Sequence, residues 1–176
     1  MLLPKGKDDL FAFSNLKRVY HHDTGMKEDF WKHEFVINAP SIKGELTQAI
    51  MVGDTIFIIN NSKIFFRKEE KRNDFKPLAF ESQSPFHNDG VKKIHYAPNT
   101  HQLFISYRNR LIYGTIQDGK LVGIKSDSIL SIQCFEQNGH KLYIGTLNDG
   151  CIVKDLTNNE LDTLFRHKDS TRSNIV

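Results

Sequence analysis

Ile56-Phe57-Ile58-Ile59-Asn60-Asn61-Ser62-Lys63-Ile64-Phe65 decides how this chain is read. An unbroken apolar run with an aromatic in second place, a short polar turn and a second apolar run describe an antiparallel hairpin covered on both faces. Asn at such a turn tolerates the positive φ that a tight hairpin requires. The pattern recurs in Leu10-Phe11-Ala12-Phe13, Leu103-Phe104-Ile105-Ser106 and Leu142-Tyr143-Ile144-Gly145, and the anchors Phe11, Phe57, Phe104 and Tyr143 stand 46, 47 and 39 residues apart. Val19, Phe65, Ile112 and Ile152 mark a following strand 8, 8, 8 and 9 positions beyond each anchor. The intervening turns are Ser14-Asn15, Asn60-Asn61-Ser62, Tyr107-Arg108-Asn109 and Leu147-Asn148-Asp149-Gly150.

Further strands flank each hairpin. Gln48–Val52, Lys93–Ala97 and Ser131–Phe135 precede the last three anchors across Gly53-Asp54, Pro98-Asn99-Thr100 and Asn138-Gly139, while Lys32–Ile37, Phe75–Phe80, Lys120–Ile124 and Glu160–Phe165 form a more polar fourth strand. Four antiparallel strands recurring every forty-odd residues predict an all-β fold of β-propeller blades, because one such sheet buries too little alone and gains stability by stacking on its neighbours. The expected blades are residues 9–37, 47–80, 92–124 and 130–165, about four in all, with 166–176 as a connector or the start of the next. The first unit reads as lacking its innermost strand. Either the tail Ser173-Asn174-Ile175-Val176 returns to supply it, or the array continues beyond Val176 as part of a larger propeller. The tail reads as the opening of another blade, which favours the second reading.

Composition excludes several functions. A chain of 176 residues is one domain or a piece of a repeat array, and its thirteen Phe, five Tyr and one Trp suit a packed core. Lys plus Arg at 24 against Asp plus Glu at 21 leave a net charge of +3, too small and mixed for a nucleic-acid partner. The densest apolar stretch, Ala49–Asn60, is interrupted by Gly53 and Asp54, so no membrane contact is expected of this segment. Met1-Leu2-Leu3-Pro4-Lys5 lacks the apolar stretch of a secretory signal; the chain stays where it is made or is an internal piece. Cys134 and Cys151 lack metal spacing and read as small core residues. On the first and third strands of one sheet they lie about 10 Å apart, too far for a disulfide, and should be free thiols.

Asn138-Gly139-His140-Lys141-Leu142-Tyr143-Ile144-Gly145-Thr146-Leu147-Asn148-Asp149-Gly150 resembles the blade signature of regulator-type propellers, the two-component regulator propeller repeats. Leu164-Phe165-Arg166-His167 through Ser173-Asn174-Ile175-Val176 is similar to their inter-blade connector, and His87-Asn88-Asp89-Gly90-Val91 occupies the equivalent place earlier. Tyr143 stands where these repeats usually carry Trp, and Cys151 replaces the Leu of Gly-Leu. Such repeats form the periplasmic sensor region of hybrid two-component histidine kinases of Bacteroidetes, often tied to polysaccharide use. The resemblance implies a ligand-sensing segment without catalysis of its own, whose partners would be an oligosaccharide ligand and the rest of the kinase chain or a homodimer partner. It implies a periplasmic location; a complete chain as given would be cytoplasmic.

Individual sites carry less. His21, His22, Asp23, Glu28 and His33 fit no metal-ligand template and read as exposed loop residues. Arg67-Lys68-Glu69-Glu70-Lys71-Arg72 reads as a solvated outer hairpin. Loops of one type converge on one end of a propeller, which makes His87, Asn88, Tyr107, Arg108 and Arg110 the ligand-binding candidates, in competition with ordinary turn chemistry. No nucleophile elbow, phosphate loop or dinucleotide fingerprint is present, and no catalytic residue, metal or cofactor is assigned. A protein-interaction scaffold and a propeller lyase or hydrolase are the competing functions.

Overall fold

A computed structural model of the chain describes residues 2–5, 9–13, 18–23, 32–36, 42–44, 46–68, 75–82, 84–107 and 109–165. These form four up-and-down antiparallel sheets with no helix among the described residues. The first sheet comprises β1 (Leu2–Lys5), β2 (Asp9–Phe13), β3 (Arg18–Asp23) and β4 (Lys32–Val36), and the second β5 (Leu46–Val52), β6 (Thr55–Asn60), β7 (Lys63–Lys68) and β8 (Lys76–Pro77). After β9 (Ala79–Phe80), the third holds β10 (Val91–Ala97), β11 (Gln102–Tyr107), β12 (Arg110–Gln117) and β13 (Lys120–Asp127). The fourth holds β14 (Ile132–Asn138), β15 (Lys141–Thr146), β16 (Cys151–Asp155) and β17 (Leu161–Phe165). The inner strands β1, β5, β10 and β14 neighbour one another in that order, the arrangement of propeller blades.

Alternation along the second strands sets the layers. In β6, Ile56 and Ile58 join Phe65 and Phe75 on one face, while Phe57 and Ile59 join Leu103 and Ile105 of the third sheet on the other. In β11, Leu103 and Ile105 turn back to the second sheet while Phe104 packs with Leu142 and Ile144 of the fourth. Both faces are covered, so these strands are apolar throughout rather than alternating. The innermost strands β5, β10 and β14 are only partly buried, so the most apolar strand is second from the axis rather than first. Each carries a register shift at the same place, at Leu46/Gln48, Val91/Lys93 and Ile132/Cys134. A bulge repeated at one position raises the twist of these three blades alike.

Three expectations are corrected. The first unit has an inner strand, β1, paired with β2 from Leu2↔Ala12 to Lys5↔Asp9. Phe75–Phe80 is not one outer strand: β8 pairs with β7, but β9 leaves the sheet and pairs parallel with β13 of the next. Arg67 is not solvated; it is buried, with its guanidinium 5.4 Å from the Phe75 ring centroid, because β7 turns Phe65 and Arg67 to one face and Ile64 and Phe66 to the other. Glu69–Asp74 and the tail 166–176 lie outside the described residues.

Candidate functional site

In a four-stranded meander the turns joining strands one to two and three to four lie at one end, and the remaining connections at the other. At the first end the second and third sheets part to leave an open cleft of about 790 Å³. Its apolar wall is built from Phe57, Phe66, Val52, Ile116 and Tyr96. The Phe57 and Phe66 rings stack with centroids 6.0 Å apart. Its rim is polar, with Thr55, Lys68 and Lys76 from the second sheet and His101, Thr115, Gln117 and Asp118 from the third. The Tyr96 hydroxyl lies 3.1 Å from His101 Nδ1 and orients both groups at the mouth.

Gly119 shapes the floor. Its φ is +75°, and a Cβ there would lie 2.4 Å from Cζ of Phe66, so the β12–β13 turn abuts the tip of that ring. Only glycine meets both conditions without displacing the ring.

The walls are tied on both sides. At the inner edge the Gln48 side chain imitates a strand partner: its Nε2 donates to the Ile94 carbonyl at 2.8 Å, and the Ile94 amide donates to its Oε1 at 2.8 Å. At the outer edge the Ala79 amide donates to the Gly119 carbonyl at 3.2 Å, and the Glu81 amide to the Leu121 carbonyl at 3.0 Å. The Glu81 carboxylate then accepts from the Gly123 and Ile124 amides, both at 3.1 Å. A cleft held this way loses little conformational freedom when a ligand enters.

The predicted loop residues sit at the opposite end. Asn88 is committed to the fold: it accepts from the Ile64 amide at 2.6 Å and donates to the Ile64 and Leu78 carbonyls at 2.7 and 2.9 Å. His87 is exposed. Tyr107 is buried edge-on to Phe86, and the Arg110 guanidinium lies 5.8 Å from the same ring centroid, so Phe86 brings these two together. Arg108 lies outside the described residues. Sequence reasoning missed the cleft because it weighed only one family of turns; the turns Gly53-Asp54, Pro98–Thr100 and Asp118-Gly119, which converge at the other end, were the available signal.

The remaining candidates separate. His21, His22 and Asp23 belong to strand β3 rather than a loop, His33 pairs with Tyr20, and Glu28 lies outside the described residues. No group of three or more His, Cys, Asp or Glu able to hold a metal occurs among the described residues. Cys134 and Cys151 are free thiols, but Cys134 is exposed and Cys151 half-buried, which corrects their reading as core residues: both project from the face of the fourth sheet turned away from the third. A buried ion pair joins those two sheets instead. Lys154 Nζ lies 3.0 Å from Asp127 Oδ2, 3.3 Å from the Asn159 carbonyl and 4.4 Å from the Tyr113 ring centroid.

No described helix is long and apolar enough to cross a membrane. No protein-family model and no curated protein matches the sequence. Solved structures do match in fold. The extracellular domain of the putative hybrid two-component system BT4673 from B. thetaiotaomicron superposes with a TM-score of 0.64 at 17% identity, over 96% of this chain and 22% of that one. PorZ, a surface component of the type-IX secretion system of Porphyromonas gingivalis, gives 0.62 at 12% identity over 96% and 21%. A chain from the S. cerevisiae complex of Dbp5 with Nup159 and Gle1 gives 0.57 at 11% identity over 93% and 42%. The chain thus spans about a fifth of the two bacterial proteins it superposes on, and the likeness carries the propeller fold across widely divergent sequences.

Proposed function

We propose that the chain is a ligand-sensing segment of an extracytoplasmic propeller belonging to a two-component system. The observation that carries this reading is the cleft between the second and third sheets: one ligand there would touch both sheets, so its binding free energy would depend on how they are set. A ligand that prefers one setting shifts the population toward it, and the shift passes to whatever the propeller is joined to, the rest of a kinase chain or a homodimer partner. The fold shared with the extracellular domain of BT4673 supports the same reading. The ligand fitting an aromatic wall with a rim of hydroxyl, amide and cationic groups is an oligosaccharide, whose ring faces stack on Phe66 and Tyr96 while its hydroxyls meet Thr115, Gln117 and Asp118.

Calorimetric titration of the chain with a panel of oligosaccharides tests the proposal. One class should bind, and Tyr96→Ala and His101→Ala should each weaken it about tenfold, the cost of one lost ring or hydrogen-bond contact. A panel without binders, or a binder indifferent to both substitutions, refutes it.

A further inference from the structure

We infer that the outer face of the fourth sheet carries a two-thiol site for a soft, two-coordinate metal ion, of which Cu(I) is the type. Cys134 pairs in register with Gly145, and Gly145 with Cys151, so the three share one face with the glycine in the middle. Residues two strands apart are normally separated by the side chain between them. Here there is none: Cys134 Sγ lies only 2.5 Å from where a Cβ on Gly145 would stand. The first thiol therefore occupies the middle strand's place, and Cβ atoms of directly paired residues are about 5 Å apart. A rotation about χ1 of Cys151 brings its sulfur within the span of an S–metal–S bridge, about twice a metal–thiolate bond of ~2.3 Å.

The same geometry excludes a disulfide, because Cα atoms two strands apart lie at about 10 Å, beyond the ~7 Å that such a bond permits. Among the described residues no third His, Cys, Asp or Glu joins the pair to complete a metal-binding group. Two thiolates alone are too few for tetrahedral Zn²⁺ and suit Cu(I). On binding, two S–H bonds are replaced by two S–Cu bonds, two protons pass to solvent, and copper remains Cu(I).

The test is anaerobic competition of the whole chain with bicinchoninate for Cu(I), followed by counting of reactive thiols. One Cu(I) per monomeric chain, with both thiols masked, is expected. Cys134→Ser and Cys151→Ser should each abolish the complex. Gly145→Ala, which keeps both thiols but puts a methyl group where the Cys134 sulfur lies, should weaken it about tenfold or more. Phenylarsine oxide, which joins two nearby thiols through one arsenic with loss of water, is a second measurement on the unaltered chain and should mask both at one equivalent. Copper bound between two chains, metal retention by either single-serine variant, affinity unchanged in Gly145→Ala, or thiols still free after one equivalent of the arsenical each overturn the inference.

Discussion

The layer between the second and third sheets and the outer face of the fourth sheet are built from the same strand positions, yet the first is packed wall against wall beside its cleft, whereas among the described residues the second meets no opposing sheet. In the layer, Phe57 and Ile59 of β6 meet Leu103 and Ile105 of β11 with almost no exposure. On the outer face, Tyr143 and Gly145 of β15 hold the places corresponding to Phe57 and Ile59, and the side chains sharing that face include Glu136, Cys134, Lys141 and Asp155. Leu142 and Ile144, one step away in the same strand, are fully buried against the third sheet. Leu161 and Leu164 in β17 remain 45% and 56% exposed. Burial in this architecture therefore belongs to the pair of sheets and not to the blade, and charged or reactive groups are tolerated where no second described wall desolvates them.

The largest test of this contrast is a pair of truncations. Phe104→Ala should cost about 3–5 kcal/mol in chemical denaturation, because the ring is wholly buried and stacked on Tyr113 with centroids 5.1 Å apart. Tyr143→Ala should cost less than about 1.5 kcal/mol, since its ring is only half-buried. Equal losses would mean that the outer face is covered in solution and would break the comparison.

Next comes the ion pair that crosses a sealed layer. Asp127→Ala leaves the fully buried Lys154 ammonium uncompensated and should cost about 3 kcal/mol, whereas the double substitution Asp127→Leu with Lys154→Met should be neutral or stabilising, as replacement of a buried charge pair by apolar volume often is. A double variant destabilised as much as Asp127→Ala would show that the pair holds the sheets together on balance.

A smaller effect is expected at the cleft. Gly119→Ala combines a left-handed backbone with a methyl group against Phe66 and should cost about 1–3 kcal/mol, with weaker ligand binding. Stability unchanged within about 0.5 kcal/mol would show that the ring moves freely and that the floor is not shaped by this turn.

The smallest effect lies at the exposed turn after β16. The Thr157 hydroxyl and amide both donate to the Asp155 carboxylate, holding its pKa below the ordinary value of 3.8. The sign follows: stability from this contact is present above pH 3.8 and lost as pH falls through the lowered folded-state value. An NMR titration of Asp155 should show its midpoint moving back up in Thr157→Val; an unmoved midpoint would remove the side-chain contribution.

Much of the fold was legible because hairpins write themselves locally. Ile56–Ile59 with Asn60-Asn61-Ser62 needs only period-two geometry and turn chemistry, and Asn61 and Ser62 do take φ values of 49° and 59°. Strand β1 was missed because Leu2-Leu3-Pro4-Lys5 is short and contains Pro, which cannot donate to a ladder. The departure of β9 was missed because two residues of parallel pairing leave no periodic trace. Asn88 was singled out as a loop residue of the right chemistry, and that chemistry serves three backbone groups of the second sheet.

By itself the sequence determined the central hairpins and the four-stranded repeat, since these rest on alternation and turn residues only a few positions apart. Tertiary structure alone decided which face of each sheet is sealed, that Arg67 and Lys154 are buried, and that residues from Val52 to Gly119 line one cleft. The physical reason is distance along the chain: a hairpin's hydrogen bonds are set by near neighbours, whereas desolvation and cavity shape depend on whichever sheet comes to stand opposite.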